Sequence, residues 1–126
     1  MVGRFETSRE SIPMKASFVG RIFKVWLYRV SHGELLVRSP QDLEHSRNID
    51  LMFAGVEYLE IPCLLPHLEV DEANDDDVAR TSDRLGKLVE RRNVIVLKSE
   101  GRRFLVVAAW MKAGESDMDI FDSPFE

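Results

Sequence analysis

The chain is short of cysteine, of histidine and of long apolar runs, and each shortage excludes something. Cys63 is the single cysteine in 126 residues, so no intramolecular disulfide can form, and a reducing cytoplasm is the expected setting. Lying between Pro62 and Leu64 with no base or cation beside it in sequence, Cys63 reads as a small buried apolar residue, not a nucleophile. No apolar run approaches the ~20 residues of a membrane span. Arg4, Glu6, Arg9 and Glu10 stand where a secretory signal would be uninterruptedly apolar. His32, His45 and His67 are 13 and 22 residues apart, none of the short spacings that set two imidazoles on one metal. The seven glycines form neither a dinucleotide fingerprint nor a phosphate loop, and no serine lies in a Gly-x-Ser-x-Gly pattern. Asp71–Asp77 carries the acids of a calcium loop without the glycine such a loop requires. The residues therefore imply no cofactor and no metal, and catalysis would need a site assembled from distant positions.

Charge is plentiful but segregated. The net charge is −5, yet Glu69–Asp77 holds six acids and no base, and Glu115–Glu126 holds five acids and no base. The rest carries all 17 Lys and Arg against the other 11 acids, a net +6. A basic body masked by two acidic segments is the expectation, with the terminal one lying against basic surface at Arg21, Arg29, Arg38 or the Lys98 and Arg103 tip.

Two hairpins organise the middle of the chain. In the first, a two-residue His32-Gly33 loop pairs Val30 with Leu35, Tyr28 with Val37 and Trp26 with Ser39. That register puts Trp26, Tyr28, Val30, Leu35 and Val37 on one buried face and Leu27, Arg29, Leu36 and Arg38 on the other. In the second, a Glu100-Gly101 loop joins Val94–Leu97 to Phe104–Trp110, pairing Leu97 with Phe104 and Lys98 with Arg103. Both faces of this hairpin are apolar, which predicts a central position covered on both sides, with a helix on one.

Between the hairpins, Ile49, Leu51 and Phe53 alternate as in a strand, and the pattern resumes at Val56 after Ala54-Gly55. One long strand bent at a glycine bulge is favoured over a hairpin there, because Ala54 resists the positive φ of a type I′ turn. Pro62 to Pro66 read as an irregular segment. Val78, Thr81, Leu85, Leu88 and Val89 then form the stripe of an amphipathic helix capped at Asn74 or a following aspartate, with Arg91-Arg92 at its negative end.

The expected fold is α+β: one twisted antiparallel sheet of five or six strands on a single main helix. The alternative is a small, partly open β-barrel plugged by the helix. Residues 1–18 read as an N-terminal tail, 19–113 as the domain and 114–126 as an acidic C-terminal tail. One helix cannot cover a sheet of this width, so a second copy is expected to shield the remaining face as a homodimer.

Two surfaces suit recognition. Leu27, Arg29, Leu36 and Arg38 mix apolar groups with arginine as protein interfaces do, although the N-terminal segment can equally cover that face. Ile120, Phe121 and Phe125 alternate with acids as in a docking peptide. The leading expectation is a non-catalytic cytoplasmic protein-binding or adaptor module, of the toxin-neutralising kind by class analogy alone. A nucleic-acid binder with an acidic masking tail ranks second, and an enzyme of unrecognised type third; no membrane partner is expected and any small-molecule ligand is unknown.

Overall fold

The computed structural model describes residues 5–7 and 16–116. These form β1 (Phe5–Thr7), β2 (Ala16–Ser17), β3 (Ile22–Arg29), β4 (Glu34–Ser39), β5 (Asn48–Ala54), β6 (Tyr58–Glu60), β7 (Leu64–Pro66), β8 (Glu69–Glu72), helix α1 (Asp75–Leu85), β9 (Val94–Ser99), β10 (Arg102–Val107) and β11 (Trp110–Ser116). All pairings are antiparallel. The strands form two sheets, a first ordered β1-β11-β5-β4-β3-β7 and a second ordered β2-β8-β9-β10-β6. The expected single sheet is thus two, and they are not closed into a barrel.

The division comes from corners at which paired strands change sheet together. β5 ends at Ala54, Gly55 takes φ 67°, and β6 continues in the second sheet. Alongside it β10 ends at Val107 and β11 resumes at Trp110 in the first sheet. Two backbone bonds hold the corner: Ala109 N–H donates to Ala54 O at 2.9 Å and Glu57 N–H to Val107 O at 2.8 Å. The bend expected at Gly55 is there, but it carries the chain out of its sheet, and the strand expected from Phe104 to Trp110 breaks at Ala108-Ala109 to follow it. A second corner joins β2–β3 to β7–β8, where Phe18 N–H donates to Leu68 O and His67 N–H to Arg21 O.

The corners lay the sheets over a shared core. Phe23, Leu35, Val37, Leu51 and Phe53 from the first sheet meet Val70, Ile95, Leu97 and Val106 from the second, all buried. Val94, Val96, Leu105 and Val107 point the other way, into a cluster with Ala73 and Val89 against which Val78 and Leu85 of α1 pack. β9 and β10 therefore lie centrally and bury both faces, as their two-sided apolar pattern requires, with α1 on one of them. Their turn has Glu100 at φ 53° and Gly101 at φ 81°, and the register pairs Leu97 with Phe104 and Lys98 with Arg103 as expected. The face that the dimer argument left bare is covered by the first sheet.

The first hairpin differs. Val30–His32 form a 3₁₀ turn closed by Gly33 in the left-handed region, so the connection is four residues long and Arg29, not Ser31, faces Glu34. An extra residue then interrupts the ladder between Val25 and Leu27, restoring Val25 opposite Val37. Trp26 consequently lies on the face of Arg38, opposite to Val37, and Tyr28 and Val30 are exposed. The turn is pinned by tertiary contact: Val56 N–H donates to Gly33 O at 3.0 Å, docking it on the Gly55 corner.

Helix α1 is shorter than its stripe. Asn74 and Asp77 form a reciprocal capping box, Asp77 N–H donating to Asn74 Oδ1 and Asn74 N–H to Asp77 Oδ2. Gly86 at φ 70° ends the helix before Leu88, which is exposed, while Val89 folds back into the core beneath α1. Part of the acidic segment that precedes it is regular structure: Glu69–Glu72 is strand β8, paired with β9.

Candidate interaction surface

The four residues singled out on the first hairpin do share a face, but it is not an open one. Leu27 pairs with Leu36 and Arg29 with Glu34, and two residues on from Leu36 comes Arg38. Leu36 and Arg38 are 0% exposed, while Leu27 and Arg29 are half-buried. Arg38 stands directly across from Asp50 of β5, with Nε donating to Oδ1 at 2.7 Å and Nη2 to Oδ2 at 3.1 Å. Both side chains are completely buried, and the Trp26 ring lies 5.5 Å from the guanidinium. A pair withdrawn from water on this scale neutralises itself and holds β4 to β5; it is not presented to a partner. Ile120, Phe121 and Phe125 lie outside the described residues.

The remaining charges are largely spent on neighbours. Arg29 pairs with Glu34 and Arg91 with Asp75. The unfavourable Lys98–Arg103 pairing is relieved from the acidic segment: Lys98 Nζ is 3.5 Å from Asp71 and 3.7 Å from Glu69, and Arg103 binds Asp77 of the helix cap. The hydrogen bond to Asp77 raises the Arg103 pKa above its ordinary value. Arg21 donates to Ser39 Oγ, Ser39 O and Arg47 O, each at 2.9 Å, and its burial lowers its pKa. A basic body masked by acids is therefore replaced by local pairing, at least for Glu69, Asp71, Asp75 and Asp77.

His45 Nδ1 lies 2.9 Å from Asp42 Oδ1 and His67 Nδ1 accepts from Gly20 N–H at 3.0 Å. Among the described residues no three His, Cys, Asp or Glu side chains are placed to hold a metal ion. No helix among them is long and apolar enough to cross a membrane. A groove of about 400 Å³ runs between β2, β8 and β9, lined by Ala16, Ser17, Glu69, Val70, Asp71 and Lys98. Its polar groups are mainly the ion pairs already described.

What stands open is a different place, the β3–β7 edge of the first sheet. Ile22 pairs with Pro66 and Lys24 with Leu64, so these four share one face, and among the described residues β7 ends the sheet. Ile22 is 51% exposed, Leu64 54% and Val19, in the turn before β3, 75%. Cys63, expected inside, is exposed at the start of this edge, its carbonyl accepting from Val25 N–H at 3.0 Å. The edge is hidden in the sequence because Pro62 and Pro66 give the segment an irregular look. Pro66 was itself the available signal, since a proline beside two leucines is tolerated on an edge strand and not inside a sheet.

The chain matches no protein-family model, no curated protein and no solved structure.

Proposed function

We propose that this chain is a small protein-binding module and that it takes its partner at the β3–β7 edge. The observation that carries this reading is the grouping of Val19, Ile22 and Leu64, exposed beside a strand that ends its sheet. Exposed edges invite strand pairing, and natural sheets ordinarily blunt them with charge, proline or a covering element. Here Pro66 and Lys24 flank the edge, but its centre is leucine and isoleucine. An extended segment of a partner, adding to β7 and placing apolar side chains over Ile22 and Leu64, is the chemistry this surface suits. Toxin neutralisation would be one use of such a module and rests on class analogy alone. The nucleic-acid reading stays second, because Arg38, Lys98 and Arg103 are engaged by acids of the same chain.

The test is cross-linking in cells of the full chain against its Ile22→Asp and Leu64→Asp variants, with melting curves confirming that both still fold. Partners held by the parent and lost from both variants support the reading. An unchanged set of partners removes it.

A further inference from the structure

The corner that joins β2–β3 to β7–β8 contains a hydrogen bond whose direction depends on a proton. Arg21 N–H donates to Phe18 O at 3.3 Å and closes a turn over Phe18, Val19, Gly20 and Arg21. Gly20 is at φ 86° and Val19 is outside the left-handed region, which makes the turn type II. In such a turn the central peptide, here between Val19 and Gly20, takes no part in the closing bond. Its N–H donates instead to Nδ1 of His67 at 3.0 Å. An imidazole that accepts at Nδ1 is neutral and carries its proton on Nε2. His67 is itself at φ 51°, a left-handed conformation that a residue with a Cβ rarely adopts away from a functional or tightly held position.

We propose that His67 and the Val19–Gly20 peptide form a proton-operated switch, in which protonating the imidazole turns the peptide over. Once Nδ1 carries a proton it is a donor, and it then faces a second donor in Gly20 N–H. Turning the peptide over converts the turn to type I and brings the Val19 carbonyl, an acceptor, to the place that Gly20 N–H has left. Little opposes this movement. Glycine takes the negative φ of a type I turn as readily as the positive one, and the Arg21-to-Phe18 bond is common to both turns. A Cβ on Gly20 would meet nothing within 4 Å, and Val19 is exposed, so the peptide has room to turn. The corner itself stays in place, because Phe18 N–H to Leu68 O and His67 N–H to Arg21 O use other peptides. The charges on the surrounding elements are engaged elsewhere. Arg21 of the turn binds Ser39 and Arg47 O, and Glu69 of β8 lies 3.7 Å from Lys98 of β9. Among the described residues no carboxylate pairs with the His67 ring, Glu100 of the β9–β10 turn included. Histidine is the side chain that ordinarily changes charge between about pH 5 and 8, and that interval is the range of the switch. Control of the β3–β7 edge through Val19 rests on the binding reading above; the flip itself does not.

Nuclear magnetic resonance of the full chain tests it, with no partner present, so that its failure is separate from failure of the binding edge. A type II turn sets Val19 Hα close to the Gly20 amide proton, and a type I turn sets the amide protons of Val19 and Gly20 close instead. At pH 8 the Hα–amide Overhauser effect should dominate. At pH 5 the amide–amide effect should replace it, with a midpoint that coincides with protonation of His67 Nδ1 followed by its nitrogen shift. His67→Asn, which tolerates a left-handed φ and has no titrating ring, should give one pattern at both pH values while His32 and His45 remain. The proposal is overturned if the Hα–amide effect persists with His67 protonated, or if His67→Asn responds to pH as the parent does. Should that variant not fold, the parent decides alone: a turn midpoint displaced from that of His67 overturns the proposal.

Discussion

Arg38 and Asp50 illustrate what a single alternation pattern leaves open. A polar residue in every second position reads as the wet side of a strand, yet here the wet side is dry and its charges close on each other. Removing one partner strands the other: Arg38→Met or Asp50→Leu alone should cost about 3 to 5 kcal/mol in urea unfolding, and the double variant should recover most of it. Tyr58 offers a pH signature. Its hydroxyl donates to Glu60 Oε1 at 2.6 Å, and this bond, with burial adding to it, raises its pKa. The folded state thus prefers the protonated phenol, so the contribution is complete below the ordinary tyrosine value of about 10 and fades as pH rises through the higher folded one. Ultraviolet titration should show one of the two tyrosines ionising late, and Tyr58→Phe should abolish that step.

Elements behave according to how much of their definition is local. The capping box at α1 is local, and Asn74→Ala should cost about 1 kcal/mol. Asp77→Ala should cost more than Asn74→Ala, since Asp77 also receives Arg103 from β10; thermal melts of the two variants compare them directly. The corner between β5 and β6 is tertiary. A Cβ on Gly55 would sit 2.7 Å from Ala109 Cβ, in addition to the strain of φ 67°, whereas a Cβ on Gly86 at φ 70° meets nothing within 4 Å. Gly86→Ala should therefore lose about 1 kcal/mol to backbone strain alone, and Gly55→Ala should lose a further 1 to 3 kcal/mol, roughly, to overpacking. Equal losses at the two glycines would show that the corner relaxes freely.

At the scale of the molecule, the corners make two sheets interdependent. β2–β3, β5–β6, β7–β8 and β10–β11 each contribute to both, so neither sheet can melt while the other keeps its strands. Unfolding followed by tryptophan fluorescence and by far-ultraviolet circular dichroism should coincide in one transition. Separate midpoints would mean that the second sheet and α1 form a unit of their own.

The second hairpin and the start of α1 were legible in the residues, because a Glu-Gly turn and an Asn-x-x-Asp cap act within a few positions and the strands beside the turn are apolar on both faces. The first hairpin was not, since its turn is set by Gly33 docking on Val56, 23 residues away, and the inserted Trp26 reverses the faces of everything before it. Cys63 and the β3–β7 edge were hidden for a related reason: which strand ends a sheet is a property of pairing, not of composition. Local chemistry by itself determined the turn of the second hairpin, the alternation of β5 and the capped start of α1. Only the tertiary structure decided which faces meet, because a strand records that it alternates but not what lies opposite, and a glycine that permits a bend does not say into which sheet the chain will turn.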